Sequence, residues 1–170
     1  TENHEALTTA SDPDWKLPGI ELLDQKQDKA DAGNVEGNAR IIKETFANFA
    51  IDVEMEGANI GPRVTQYTLR PPTGVKLTKI TALENNLALD LAATTIRMEA
   101  PIPGKRAVGI EVPNVKGATV RLSSIIQSRE WAESTGPLTF AIGKDIVGHS
   151  VVADLARMPH LLVAGQTGSG

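Results

Sequence analysis

The sequence predicts an α+β unit followed by the opening of a phosphate-binding α/β domain, and three observations carry that reading. Apolar residues recur at helical spacing over residues 36–49 and 78–95. Between and after these stretches, apolar and polar residues alternate over 51–55, 64–69 and 108–112, the period of half-buried strands. Finally, the uniformly apolar Leu161-Leu162-Val163-Ala164 runs directly into Gly165-Gln166-Thr167-Gly168-Ser169-Gly170. A strand buried on both faces that opens into a glycine-rich loop is the entry to a phosphate site of the form G-x-x-x-x-G-K-[ST].

The elements follow in order. Residues 1–35 show no sustained period, are acidic and contain Pro13, Pro18 and Gly33, the composition of a largely disordered linker. Within them, the apolar stretch Leu17–Leu23 reads as an extended docking arm. Ala39, Ile42, Phe46 and Phe49 share one face of a helix predicted over Glu36–Phe49. Ile51, Val53 and Met55 alternate with Asp52, Glu54 and Glu56 as a strand, and Gly57–Pro62 reads as the turn after it. The strand Val64–Leu69 stops at Pro71-Pro72, which cannot donate to a ladder.

A second helix is predicted from Thr78 or Thr81 to about Thr95, with Ile80, Leu83, Leu87 and Leu91 as its buried stripe. Thr81 and Glu84 have the spacing of a capping box. A short strand at Arg97–Ala100, a rigid loop at Pro101–Arg106 and a strand of Val108, Ile110 and Val112 ended by Pro113 complete a unit over 36–113. Residues 114–136 read as a connector with one short helix near Ser123–Ser128. Leu138–Ile142 and Ser150–Ala153 then read as strands around a turn at Gly143–Gly148. Residues 114–170 are thus the connector and the N-terminal part of a second domain.

Composition narrows the chemistry. The 170 residues are 41% hydrophobic and 22% charged, enough to bury a core. Three Phe, two Trp and one Tyr are too few for a single-strand binding surface built on base stacking. With no cysteine, a disulfide framework, a thiolate zinc site and cysteine catalysis are excluded for this stretch. No apolar run approaches the roughly 20 residues that span a bilayer, and no signal-peptide pattern opens the chain. A soluble segment without membrane contact is therefore expected.

The net charge of −4 hides an asymmetry. Residues 1–36 carry nine acids and three bases, whereas 57–129 carry ten bases and four acids, with no acid at all from Gly57 to Leu83. Such a balance fits a surface that faces phosphates, but on charge alone it fits a solvated face beside an acidic tail better.

The glycines of 165–170 serve geometry. Gly165 and Gly170 bracket a loop whose backbone N–H groups converge on phosphate oxygens, and Gly168 relieves crowding inside it. Gly165, Gln166, Thr167, Gly168, Ser169 and Gly170 are accordingly the expected nucleotide-binding residues. No catalytic or metal-ligating set stands out: His4, His149 and His160 are scattered without ligand spacing, and His160 reads as structural. Asp145 and Asp154 flank turns and read as caps. Lys105 and Arg106 fit a phosphate, a neighbouring subunit's acid or a solvated loop.

Several blocks together resemble the FtsK/SpoIIIE family of double-stranded DNA translocases. They are Gly61–Thr65, Pro71–Lys76 with Gly74 and Val75, Leu87–Ala93, Arg97–Lys105, Val108–Asn114, Ile142–Ile146 and Val152–Gly165. The resemblance spans 17–170 in family order. It implies the whole α subdomain of a motor (about 17–113) and the first strands of a RecA-like P-loop domain. It further implies ATP and Mg²⁺ as cofactors, double-stranded DNA as partner, a hexameric ring, and a role in chromosome segregation at division or sporulation. The parent protein is then expected to be anchored in the bacterial cell membrane, with this segment cytoplasmic.

On the same resemblance, Arg63, Lys76, Lys79, Lys105 and Arg106 are the expected DNA contacts, made to phosphates without reading sequence. The lysine and hydroxyl residue that complete the phosphate motif, and the acid that completes magnesium binding, do not occur in the 170 residues. The chain as it stands is expected neither to hydrolyse ATP nor to hold it tightly. Two other readings stay open: a non-catalytic assembly and DNA-channel module, and a P-loop pump of a secretion or conjugation system.

Overall fold

The computed structural model describes residues 14, 16–165 and 167. After a single helical turn at Ile20–Leu22, helix α1 (Val35–Asn48) leads into strands β1 (Glu54–Ile60) and β2 (Val64–Arg70). Helices α2 (Leu77–Thr81) and α3 (Glu84–Asp90) follow, then strands β3 (Arg97–Glu99) and β4 (Val108–Pro113). Short helices α4 (Leu122–Ile126) and α5 (Arg129–Ala132) precede the hairpin β5 (Thr139–Lys144) and β6 (Ser150–Asp154). This is an α+β architecture.

Strands β1 to β4 form one antiparallel sheet in the order β1-β2-β4-β3. Register fixes its two faces. Tyr67 lies opposite Ile110 and Leu69 opposite Val108, so these side chains share the face that packs on Ile42 and Phe46 of α1, Ile80 of α2 and Leu87 of α3. Burying each of the large apolar groups contributes roughly 1.5–3 kcal/mol. The Thr45 hydroxyl donates to Asp90 Oδ2 at 2.6 Å and ties α1 to α3. Asn34 caps α1 by accepting from the Gly37 N–H at 2.9 Å. The opposite face is polar: Gln66 pairs with Glu111, and Arg97 flanks Glu111 on its other side.

Several expectations are corrected. Ile51 and Val53 are buried, but the strand begins only at Glu54, and 57–60 continue it where a turn was expected. The reason lies in the partner: β2 ends at Arg70 before Pro71-Pro72, and Glu54 is the residue opposite Arg70. A bulge between Met55 and Gly57 then shifts the register so that 57–60 pair with 65–68. Phe49 is 49% exposed, because α1 ends at Asn48 and the chain reverses through Ala50 at φ 58°.

The expected long helix is two helices broken at Ala82–Leu83, and Thr81 lies inside α2, bonding back to the Thr78 carbonyl; no capping box forms. Residues 161–164 form no strand, and Leu162 is 90% exposed. A parallel strand buried on both faces needs neighbours on each side, and among the described residues none pairs with this segment. His160 is likewise exposed.

Part of the expected linker makes specific contacts. Asp31 exchanges backbone hydrogen bonds with Lys116 at 2.8 and 3.1 Å. Arg121 donates to Asp24 at 2.8 Å and to Asp28 at 2.9 Å, and the Ser123 hydroxyl donates to the Asp24 carbonyl at 2.6 Å. The docked part is therefore the polar stretch 24–31, whereas Leu17 and Leu22 of the expected arm remain exposed.

Candidate functional site

Four of the ten cations in 57–129 are held in ion pairs: Arg70 with Glu56, Arg97 with Glu111, Arg121 with Asp24 and Asp28, and Arg129 with Glu133. Arg63, Lys76, Lys79, Lys105, Arg106 and Lys116 make no ion pair among the described residues. The five sequence-predicted DNA contacts thus all lie in the group whose charge is uncompensated, and all five are exposed.

The sheet divides these five. Leu69 pairs with Val108, so β2 leaves the sheet at the end where β4 enters it. The loop before β4 carries Lys105 and Arg106; the segment after β2 carries Lys76, at the N-terminus of α2, and Lys79 within it. These four cations therefore leave the sheet at one end. Arg63 precedes Val64, which pairs with Pro113, and so stands at the opposite end. Five residue steps of strand separate the two ends, about 17 Å.

Around Arg63 lies a joint that the sequence reading passed over. Asn114 donates from Nδ2 to the Gly61 carbonyl at 2.9 Å and accepts at Oδ1 from the Thr65 hydroxyl at 2.7 Å. The Asn114 N–H donates to the Arg63 carbonyl at 3.0 Å, and the Ala118 N–H to the Pro62 carbonyl at 2.7 Å. A cavity of about 350 Å³ opens beside the joint, lined among others by Lys26, Lys29, Ile60, Pro62, Val120 and Lys144. The available signal was the pair Gly61-Pro62 and Pro113-Asn114, which reads locally as two turns and gives no hint that they meet.

Electrostatics at the joint favour the charged carboxylates. The Lys26 backbone N–H and then Arg121 hold Asp24 below the usual carboxylate range; for Asp28, Arg121 does so. Burial pushes Asp145 up, but the N–H groups of His149 and Val147 outweigh it, and the carboxyl titrates low. Asp145 caps the β5–β6 turn through those bonds at 2.8 and 3.0 Å, and Asp154 caps the following turn through Ala156 at 3.0 Å.

Of the expected nucleotide loop, Gly165 and Thr167 are described; Gln166, Gly168, Ser169 and Gly170 lie outside the described residues. Gly165 follows the exposed segment 161–164. Among the described residues no cluster of His, Cys, Asp or Glu could hold a metal, and no helix is long and apolar enough to cross a membrane.

Comparison with known proteins places these features. The family model for the FtsK alpha domain matches residues 17–114, and the model for the FtsK/SpoIIIE family matches residues 121–170. The chain is 46% identical over 161 residues to a DNA translocase FtsK of Clostridium tetani, covering 92% of this chain and 22% of that protein. It is 47% identical over 164 residues to a DNA translocase FtsK of Clostridium acetobutylicum (94% of this chain, 21% of that protein). It is 44% identical over 167 residues to DNA translocase SpoIIIE of Bacillus subtilis (96% and 21%). The chain therefore spans about a fifth of the length of the curated relatives it matches. From Leu17 onward, with the four-stranded sheet falling in the first match and the β5–β6 hairpin in the second, the chain belongs to the FtsK/SpoIIIE family.

Proposed function

We propose that this chain is the α subdomain and the opening of the RecA-like P-loop domain of an ATP-driven double-stranded DNA translocase, acting in chromosome segregation at cell division or sporulation. One observation carries the reading: proteins named DNA translocase align with it over more than nine-tenths of its length at 44–47% identity. On this reading residues 1–35 are linker, 36–113 the α subdomain, and 114–170 the connector and first strands of the motor domain. The longer protein binds ATP and Mg²⁺, assembles as a hexameric ring and is anchored to the cell membrane through segments other than this one. Gly165–Gly170 would contribute backbone N–H groups to the phosphates. When bound, the nucleotide would supply the free energy of movement through its hydrolysis, and the metal would neutralise charge on its phosphates. The 170 residues alone hold six of the eight motif positions and act as a DNA-contacting and assembly module without turnover.

What this chain's own residues supply is charge in the right place. Lys76, Lys79, Lys105 and Arg106 lie on segments that leave one end of the sheet, where Glu54 and Glu99 also stand, and make no ion pair among the described residues, which leaves them available for phosphate contacts that any duplex sequence offers. Arg63, at the other end, is a separate contact. The test is Lys76→Gln with Lys79→Gln in the full-length protein. Duplex affinity should fall equally for unrelated sequences, and the slope of log K against log salt should drop by about 1.8, or 0.9 per phosphate contact. An unchanged affinity and slope would reduce this end to a solvated surface.

A further inference from the structure

Gly61 is glycine for lack of space, not for its backbone angles. Its φ lies outside the left-handed region, yet a Cβ built there would stand 1.9 Å from the Ile146 carbonyl oxygen and 3.0 Å from that of Val64. The Ile146 carbonyl cannot swing away cheaply. It belongs to the β5–β6 turn, whose backbone is fixed by the Asp145 carboxylate accepting from Val147 and His149 and by the Gly148 N–H donating to the Asp145 carbonyl at 3.0 Å. On the other side Gly61 is equally fixed, by its N–H to Val64 at 2.9 Å and by Asn114 on its carbonyl. Main chain thus meets main chain, with no side chain between to absorb a displacement.

The two partners belong to different segments. Gly61 lies in the part that matches the FtsK alpha domain, Ile146 in the part that matches the FtsK/SpoIIIE motor family. The cavity beside them separates part of the arm from the hairpin, and elsewhere the segments are tied by Arg121 to Asp24 and Asp28 and by Ser123 to the Asp24 carbonyl. The four-stranded sheet runs from this point to the basic end that carries Lys76, Lys79, Lys105 and Arg106.

We infer that the Gly61–Ile146 contact is the bearing that sets the angle between the α sheet and the motor segment. Gly61 is then a positioning residue for translocation: displacement of the β5–β6 turn passes through it and tilts the sheet, moving the basic end. The inference rests on the translocase reading above. Backbone set against backbone, with no flexible side chain between, transmits such a displacement as a close-packed interior does.

The experiment has two arms. In the full-length protein, Gly61→Ala should leave DNA-stimulated ATP hydrolysis within about twofold of wild type while duplex displaced per ATP falls at least about fivefold, since misplacement by about 1 Å is enough to cost such factors. Ile146→Ala, which keeps the carbonyl, should leave the ratio unchanged. If Gly61→Ala does not fold, Asn114→Ser loosens the same point without adding volume and should lower the same ratio. In the 170-residue chain, spin labels at exposed Leu89 of α3 and Ile142 of β5 report the angle directly; Gly61→Ala should shift or broaden their distance distribution. An unchanged displacement ratio, or an unchanged distance distribution, overturns the bearing. A wild-type protein without DNA-stimulated turnover overturns the translocase reading instead, and the distance arm still decides whether Gly61 sets the angle.

Discussion

Asn114→Ala probes how firmly the connector is tied to the sheet. The substitution removes the bond from Nδ2 to the Gly61 carbonyl and the bond accepted from the Thr65 hydroxyl. Each is worth about 0.5–1.5 kcal/mol net. Thr65 is only 2% exposed, so its hydroxyl is also left without water, at about 1–3 kcal/mol. The overlap of these terms sets the expected loss at about 2–4 kcal/mol, a large part of the 5–15 kcal/mol that holds a typical domain folded. Urea unfolding of wild type and variant, followed by far-UV circular dichroism, measures it as a lower midpoint at constant slope. A double-mutant cycle sharpens the test, because Thr65→Val removes the very hydroxyl that Asn114→Ala would orphan. The double variant should lose less than the sum of the singles by about 1–2 kcal/mol. Refutation would be a loss below about 0.5 kcal/mol for Asn114→Ala, or single effects that add without coupling.

Three further outcomes follow from the packing and the charges. Phe46→Ala, at a fully buried position under the sheet, should cost about 3–5 kcal/mol in the same urea assay. Tyr67→Phe should leave stability unchanged or raise it, because the Tyr67 hydroxyl is buried without a full hydrogen bond, Asn38 beside it notwithstanding; burial accordingly pushes the phenol up. Asp24 and Asp28 titrate below their unfolded value of 3.8, so their contribution is complete above that pH and is lost as pH falls through the folded values. Unfolding midpoints measured on both sides of this window should converge for wild type and Arg121→Gln at the acid end and separate above it.

What was legible in the sequence was whatever a local period or a breaker encodes. The strand Val64–Arg70, the apolar face of Ile42 and Phe46, and the stop at Pro71-Pro72 all follow from residues within a few positions of one another. The start of β1 did not, because it is set by where β2 ends, and the bulge at Met55–Gly57 hides the alternation of the residues after it. Thr81 and Glu84 have the spacing of a cap but sit across a kink. For the candidate site, charge counting found the ten cations and the resemblance singled out five of the six that make no ion pair among the described residues, without saying that the sheet separates Arg63 from the other four. Gly61, Asn114 and Arg121 escaped altogether: each acts on residues some 50 to 100 positions away or across two hairpins, and nothing local marks that.

The central claim is that these residues serve movement along duplex DNA, and displacement of a third strand from a linear duplex by the full-length protein tests it most directly. Displacement should require ATP, occur on duplexes of unrelated sequence, and weaken when Lys76 and Lys79 are neutralised. ATP hydrolysis indifferent to duplex DNA, with the third strand left in place, would contradict it.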